Sequence, residues 1–135
     1  MATAGKLSFD LVTPDRLLLS VGADMVVVPG AEGDFGVLPG HAPLISSLRP
    51  GVVDVHQSGK VDGRYYVAGG FAEVNAAGLT VLAEEAIAIQ GLKRADLEQK
   101  IKNAQEDLTD AKTDEAKAKA QAQLRQLNDL LRAVG

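Results

Sequence analysis

The sequence predicts an N-terminal β-sandwich domain followed by a C-terminal α-helical hairpin. Strand-forming and turn-forming residues crowd into the first 86 positions, which hold all five aromatic residues, all five prolines and 13 of the 14 valines. Short apolar runs recur there between Gly and Pro, at about the 10-residue spacing that is typical of small antiparallel sandwiches and barrels. The remaining positions are rich in Ala, Leu, Gln and Lys, which favour helix. We therefore predict a β domain at 1–86 and a two-helix domain at 87–135.

The predicted strands follow one another closely along the β domain. Leu7, Phe9 and Leu11 alternate with polar residues, which is typical of a strand with one buried face. Further strands are predicted at 17–21, 25–28, 52–55, 65–68, 71–74 and 79–83. Residues 75–78 predict a hairpin turn, and the Gly69-Gly70 pair predicts a bulge or a close backbone approach. No strand is followed by a helical pattern, which argues against a βαβ architecture.

Two series of apolar residues at helical spacing predict the helices. The first series is Leu97, Ile101, Ala104 and Leu108, and the second is Ala116, Ala120, Leu124, Leu127, Leu131 and Val134. Thr113, followed by two acidic residues, predicts the start of a second helix. Both stripes are narrow and rich in Ala, so a hairpin would bury little apolar area and would be marginally stable. Because residues 92–134 contain no Gly or Pro, the sequence does not distinguish a hairpin from one long helix.

Charge and hydropathy exclude several classes of function. The chain carries 14 basic and 18 acidic residues, a net charge of −4 that divides into −5 over 1–86 and +1 over 87–135. This balance argues against nucleic acid or anionic lipid as the main partner. The longest apolar runs have four residues, far short of the roughly 20 that a membrane helix needs, and the first residues lack the apolar core of a signal peptide. We expect a soluble, cytoplasmic chain without direct membrane insertion.

Candidate residues for chemistry are few. The chain has no Cys, which excludes thiolate zinc sites and cysteine nucleophiles. The Gly-rich segment 29–43 lacks the Gly-Lys-Ser/Thr ending of a phosphate loop and precedes no helix, so we expect it to form tight turns at one end of the sandwich. We expect His41 to stabilise a turn and His56 to face solvent. The sequence therefore predicts no catalytic residue, no metal site and no cofactor.

Four strings of residues have a pattern specific enough to compare with a known family. They are 32–44 (EGDFGVLPGHAPL), 48–51 (LRPG), 66–74 (YVAGGFAEV) and 81–84 (VLAE). Together they resemble the epsilon subunit of the bacterial rotary F-type ATP synthase, and the Glu-Gly-x-x-Gly-x-x-Pro-Gly-His-Ala-Pro part is highly specific to that family. The resemblance covers essentially the whole chain and implies a β-sandwich followed by two helices.

This resemblance implies a non-catalytic role in the central stalk of the synthase. Subunits of this family pack one face of the sandwich on the gamma subunit and one end on the polar loops of the membrane c-ring, so that proton flow reaches the catalytic head as torque. Glu32, Asp34 and His41 match family positions near this junction, and we expect them to contact the c-ring or gamma. The implied location is peripheral, on the cytoplasmic face of the bacterial inner membrane.

The resemblance also implies a regulatory role for the two helices. In many bacterial members they switch from a compact hairpin to an extended form that reaches the alpha and beta subunits and blocks ATP hydrolysis. The compact form of several members binds ATP through a Leu/Ile-Asp-x-x-Arg-Ala pattern. In the matching segment 92–97, Lys93 replaces the Asp, Asp96 replaces the Arg and Leu97 replaces the Ala. We therefore expect ATP binding to be absent or weak, while inhibition by extension stays open.

A free-standing binding module is the alternative interpretation. In it, the β-sandwich holds a small ligand or a peptide, and the helical tail dimerises. This alternative leaves the string at 32–44 as a coincidence, and copurification with a gamma subunit distinguishes the two.

Overall fold

The computed structural model describes residues 6–134. Its strands are β1 (Leu7–Val12), β2 (Leu17–Ala23), β3 (Met25–Gly30), β4 (Gly33–Val37), β5 (Leu44–Leu48), β6 (Gly51–Gln57), β7 (Lys60–Val67), β8 (Gly70–Asn75), β9 (Gly78–Ala83) and β10 (Ala86–Ala88). A short 3-10 helix (Ile89–Gly91) precedes α1 (Arg94–Asp110) and α2 (Asp114–Val134). One compact unit ends at Ala88, and a second begins at Ile89.

The strands form one strongly curved sheet, which gives the β unit its sandwich or half-barrel architecture. Their order is β10-β7-β6-β3-β5-β8-β9-β1-β2, and β4 pairs with β3 beside this path. Every strand pair is antiparallel except β1 with β9, which is parallel. The prediction of a β-sandwich is thus confirmed, with one parallel pair in place of a purely antiparallel sheet.

Alternation along the strands builds the core of the β unit. In β1, the side chains of Leu7, Phe9 and Leu11 are buried, while Ser8 is exposed and Asp10 is half-buried. β9 continues the pattern beside it, since Leu79, Val81 and Ala83 are buried. Because side chains alternate between the two faces of a strand, one face of the sheet becomes the core. Among residues 6–134, no charged or polar side chain is buried.

Three strands lie where the sequence predicted none. β4 and β5 fall within or next to the Gly- and Pro-rich segment, and β10 has only three residues. Residues 29–43 do form two tight turns, but the extended strand β4 lies between them, so the prediction that both turns lie at one end of the sandwich is wrong. Two of the five residues of β4 are Gly, which weakens its strand signal, yet all five pair with β3. His56 also differs from expectation, since it lies inside β6 and is half-buried.

The prediction for the Gly69-Gly70 pair is confirmed as a close backbone approach. Gly70 has φ of +128°, a region that favours glycine. A Cβ built there would lie 2.0 Å from the carbonyl oxygen of Leu82 on the neighbouring strand β9. The register pairs Gly70 with Ala83 and, on its other side, with Leu48.

The two helices form a hairpin, which settles the alternative that the sequence left open. They pack against each other and are separated by residues 111–113. Thr113 caps α2 as predicted, because its Oγ1 accepts a hydrogen bond of 3.0 Å from the amide of Ala116. Within residues 6–134, neither helix combines the length and apolarity that a bilayer crossing requires.

The apolar stripe of the helical unit differs slightly from the predicted one. The buried side chains of its two helices are Leu97, Ala104, Ala120, Leu127 and Leu130. Ala116 is exposed, and Leu130 replaces Leu131 as the buried leucine near the end of α2. Steps of three and four residues are both compatible with one helix face, so the spacing alone did not choose between these two leucines.

Candidate functional site

The β3–β4 hairpin carries two of the three predicted contact residues. Its register pairs Pro29 with Asp34 and Gly30 with Gly33, which leaves Ala31 and Glu32 as a two-residue tip. Glu32 is exposed, and it makes no hydrogen bond or ion pair to any residue from 6 to 134. The hairpin therefore presents an unpaired carboxylate at its tip.

Arg49 connects this hairpin to the chain that follows β5. Its Nη2 donates to Oδ1 of Asp34, its Nη1 donates to the carbonyl oxygen of Gly30 at 2.5 Å, and its amide donates to the carbonyl oxygen of Pro29 at 3.0 Å. The amide of Ala31 donates to the carbonyl oxygen of Ser47 at 2.9 Å. A single arginine thus bonds both strands of the hairpin close to its tip.

His41 lies in a turn at the other end of β4. Its amide donates to the carbonyl oxygen of Leu38 at 3.1 Å, which closes a turn through Pro39 and Gly40. Its Nδ1 lies 2.7 Å from the carbonyl oxygen of Ala42. Because a carbonyl oxygen can only accept, Nδ1 carries the proton. The prediction that His41 stabilises a turn is confirmed.

The structure does not bring His41 to Asp34. Asp34 is the second residue of β4 and His41 lies beyond its end, and the stretch from Asp34 to Val37 alone extends about 10 Å at about 3.3 Å per residue. His41 instead lines a groove of about 310 Å³ with the β8–β9 turn, including Asn75 and Gly78, and with Lys6. The candidate residues therefore lie at the two ends of β4, and their contact with the c-ring or gamma stays a prediction.

Further acidic side chains lie at the same end of the sheet as the hairpin tip. The register places Gly30, Leu48, Gly70 and Ala83 side by side, so the loops that follow β1, β3, β5 and β9 meet there. These loops and the start of β4 carry Asp15, Glu32, Asp34, Glu84 and Glu85 against Arg16 and Arg49. Five acidic and two basic residues make this the acidic end of the β unit, and among the described residues no group of three metal-ligating side chains is present.

An exposed apolar surface crosses the outside of the sheet. Its register pairs Phe71 of β8 with Leu82 of β9, Leu82 with Val12 of β1, and Val12 with Leu17 of β2. Phe71 is 54% exposed, Leu82 48% and Leu17 56%, and Ile45 nearby on β5 is 70% exposed. We call Phe71, Leu82, Val12 and Leu17 the outer apolar row. Side chains aligned in this way form a contiguous apolar patch, which in soluble proteins marks an interaction surface.

Sequence reasoning missed the outer apolar row and most of the acidic end. Both depend on which strands become neighbours, and β1 lies far from β8 and β9 in the chain. The sequence did contain a signal for this surface. In β8 and β9 alternate side chains are buried, and Phe71 and Leu82 fall at the positions between them, where polar residues are expected.

A small polar network lies at the end of the β unit opposite the acidic end. Lys6 Nζ donates to Asp24 Oδ1 at 2.5 Å and to Gln57 Oε1 at 3.0 Å, while the amide of Ser58 donates to Asp24 Oδ2 at 2.6 Å. The hydrogen bond from Lys6, followed by that from Ser58, lowers the pKa of Asp24 below its ordinary value of 3.8. The network connects the start of β1 to the β6–β7 turn.

We expect Lys6→Gln to raise the pKa of Asp24 towards its ordinary value. A carboxylate whose folded pKa is depressed stabilises the fold above its unfolded pKa, near 3.8, and this stabilisation is lost as pH falls through the folded pKa. The native chain should therefore exceed the variant in unfolding free energy near about pH 6, and the gap should close as pH falls below 3.8 and through the lowered pKa of the folded chain. Carboxyl ¹³C titration and urea unfolding measure the two quantities, and Lys60→Gln, at an exposed lysine of β7, is the control. An unchanged Asp24 titration would contradict the assignment.

The comparison with protein families matches the β unit. The model of the ATP synthase delta/epsilon chain β-sandwich domain matches residues 6–89. The relatives with high identity include the ATP synthase epsilon chain of Paramagnetospirillum magneticum, 56% identical over 117 residues that cover 87% of this chain and 88% of the relative. The epsilon chain of Parvibaculum lavamentivorans is 48% identical over 97% of this chain and 99% of its own length.

Solved structures share the fold. A chain of the mitochondrial ATP synthase of Euglena gracilis, from a structure of OSCP, F1 and the c-ring, superposes with a TM-score of 0.79 at 22% identity, covering 100% of this chain and 85% of that one. A chain of the central stalk and c-ring of the Tetrahymena thermophila mitochondrial enzyme gives a TM-score of 0.64 at 15% identity, covering 95% and 96%. The matched β-sandwich model, together with relatives about half identical over nearly the full length, shows that the chain belongs to the family of ATP synthase epsilon chains.

Proposed function

We propose that this chain is a non-catalytic subunit of the central stalk of a bacterial F-type ATP synthase, where it joins gamma to the c-ring. The observation that carries the proposal is the presence of two different contact surfaces on one β unit, the acidic end and the outer apolar row. A rotor joint needs a body with two contacts, because torque enters at one and leaves at the other. The alternative of a free-standing ligand-binding module is not favoured, since the relatives are ATP synthase epsilon chains over nearly their whole length.

The acidic end is the proposed contact with the polar loops of the c-ring. Glu32 and Asp34 lie there with three further carboxylates, and such a field attracts basic and amide groups and steers their approach. His41 stays a proposed contact with the c-ring or gamma, on a separate surface at the far end of β4. The proposal places the chain peripherally on the cytoplasmic face of the inner membrane.

The outer apolar row is the proposed contact with gamma. Three of its four side chains are about half exposed, and burying them against a partner would be favourable at about 25 cal/mol per Å² of apolar area. The row lies on the face of the sheet, whereas the acidic end is formed by loops. The row borders the acidic end, because Phe71 follows Gly70 and Leu82 precedes Ala83, so the two partners would bind to adjacent surfaces.

We expect Asp34→Lys to weaken attachment of the central stalk to the membrane sector. The substitution reverses one charge at the acidic end and removes the partner of Arg49. Sedimentation of the assembled complex and proton-driven ATP synthesis in membranes measure the effect. Asp62→Lys makes the same charge change at an exposed position of β7, and it should leave both measurements unchanged. Unchanged synthesis and sedimentation in the Asp34 variant would contradict the c-ring contact.

The helical unit favours a second role, the regulation of ATP hydrolysis. Five side chains of the two helices are buried and two of them are alanines, so the hairpin is held by little apolar area. Such a contact opens at low cost, and opening would let the helices extend towards the alpha and beta subunits.

Deleting residues 92–135 is therefore expected to raise ATP hydrolysis by the reconstituted complex. The deletion removes both helices, from Arg94 to Val134, and leaves the β unit up to Ala88 intact. Synthesis in the same preparation serves as the control for assembly. A hydrolysis rate equal to that of the native complex would reject inhibition by this segment.

A further inference from the structure

We infer that the two carboxylates of the β3–β4 hairpin have different tasks: Glu32 presents the charge that the partner recognises, and Asp34, through Arg49, positions the hairpin. The inference rests on the proposed function, in which this hairpin faces the c-ring. Position 34 carries the expected contact, yet in the folded chain its carboxylate already has a partner.

The charge of Asp34 is compensated within the chain. Its Oδ1 accepts from Nη2 of Arg49, while Nη1 of the same guanidinium donates to the carbonyl oxygen of Gly30 at 2.5 Å. The planar fork of an arginine can make both bonds at once, which a lysine cannot. A carboxylate paired in this way attracts a third, incoming charge less than a free carboxylate does.

Glu32 differs from Asp34 in that no basic group of the chain compensates its charge among the described residues. It lies at the hairpin tip between Gly30 and Gly33, is exposed, and has no hydrogen-bond or ion-pair partner in the part of the chain that the structure describes. A basic group of a partner that approaches the tip would therefore meet the full charge of Glu32. The tip is also the outermost part of the hairpin, so this carboxylate is reached before that of Asp34.

Arg49 controls where the tip points. Its amide bonds Pro29 at 3.0 Å and its guanidinium bonds both strands beyond it, while the amide of Ala31 at the tip bonds Ser47 at 2.9 Å. These bonds tie the tip to the end of β5. The ion pair is about half exposed, with side-chain exposures of 42% for Arg49 and 59% for Asp34. An exposed ion pair of this kind changes the equilibrium constant between the bonded and the released hairpin by up to about fivefold.

The test compares Glu32→Gln, Asp34→Asn, Arg49→Gln, Arg49→Lys and the double variant Asp34→Asn with Arg49→Gln. Binding of the chain, together with gamma, to vesicles that carry the c-ring is measured over a range of salt concentrations. Amide hydrogen exchange of Ala31 is measured on the purified chain. If Asp34 itself contacts the partner, Arg49→Gln frees the charge of Asp34 and tightens binding, whereas Asp34→Asn weakens binding. If Asp34 positions the hairpin, both substitutions weaken binding.

We expect Glu32→Gln to weaken binding and to reduce its dependence on salt, without changing exchange at Ala31. Asp34→Asn and Arg49→Gln should each speed that exchange by up to about fivefold, and the double variant should be no worse than either single one. Arg49→Lys keeps the charge but cannot make both bonds at once, so its binding and its exchange at Ala31 should fall between those of Arg49→Gln and the native chain.

Opposite effects of Asp34→Asn and Arg49→Gln on binding would overturn the inference, as would unchanged exchange at Ala31 in both. If every variant binds like the native chain, the hairpin lies outside the interface; the inference then fails while the proposed function stands. If the native chain itself does not bind to the c-ring vesicles, both fail.

Discussion

Replacing Gly70 with Ala is expected to lower the unfolding free energy of the β unit by roughly 3 kcal/mol or more. Two causes add. The added Cβ would lie 2.0 Å from the carbonyl oxygen of Leu82, a backbone atom of an interior strand that cannot turn away. The residue also holds φ of +128°, which an L-amino acid adopts only with strain. Urea unfolding followed by the fluorescence of Tyr65 and Tyr66 reports on this unit, because both tyrosines lie in β7.

Gly33→Ala is the matched control for this experiment. Gly33 has a similar φ of +142°, and a Cβ built there meets no atom within 4 Å. Its substitution therefore carries the backbone strain without the steric clash, at a cost of about 1 kcal/mol. The difference between the two variants isolates the close approach of β8 to β9. Equal stabilities of the two variants would show that the contact between Gly70 and Leu82 costs nothing to disturb.

Replacing Phe71 with Asp is expected to weaken association with gamma at least about 30-fold, which corresponds to the loss of one hot-spot side chain. Phe71 lies on the outer apolar row, with Leu82 directly opposite on β9, and it is 54% exposed in the isolated chain. A carboxylate at this position would have to be desolvated when the partner covers the row. Titration of the purified chain with gamma, by calorimetry or by copurification, measures the loss.

Val61→Asp provides the matched control for the apolar row. Val61 is 46% exposed and lies on β7, outside the row. Both substitutions replace a strand-favouring residue with a carboxylate in an exposed strand position, so both carry a similar loss of strand propensity. The unfolding free energies should fall by similar small amounts, and only the Phe71 variant should lose gamma. Equal affinity of the two variants for gamma would contradict this assignment and would indicate that gamma binds another face of the β unit.

Local patterns predicted most of the fold because their signals lie close together in the chain. The alternation of Leu7, Phe9 and Leu11 located β1, and Thr113 located the start of α2 through its own side-chain cap. β4 was missed because two of its residues are Gly and its strand character comes from pairing with β3. A pairing partner is a property of the sheet, and a single run of residues does not contain it.

The candidate site was less predictable than the fold for a related reason. The string at 32–44 identified Glu32 and Asp34, but nothing in it shows that Asp34 bonds Arg49, 15 residues later. The outer apolar row joins residues of four strands through their register, and the acidic end gathers loops from widely separated positions. These features exist only after the sheet has assembled.

The parallel pairing of β1 with β9 has a consequence for the order in which the chain acquires its structure. Phe9 lies beside Leu79, 70 residues further along the chain, so β1 can form a hairpin with β2 early but has to wait for β9. Closing so long a loop slows folding. During synthesis on the ribosome, β1 cannot pair with β9 until residues 79–83 have emerged. One edge of β1 is unpaired and exposed during that interval. The first strand of the sheet therefore completes its pairing only after β9, one of the last strands to be synthesised, is available.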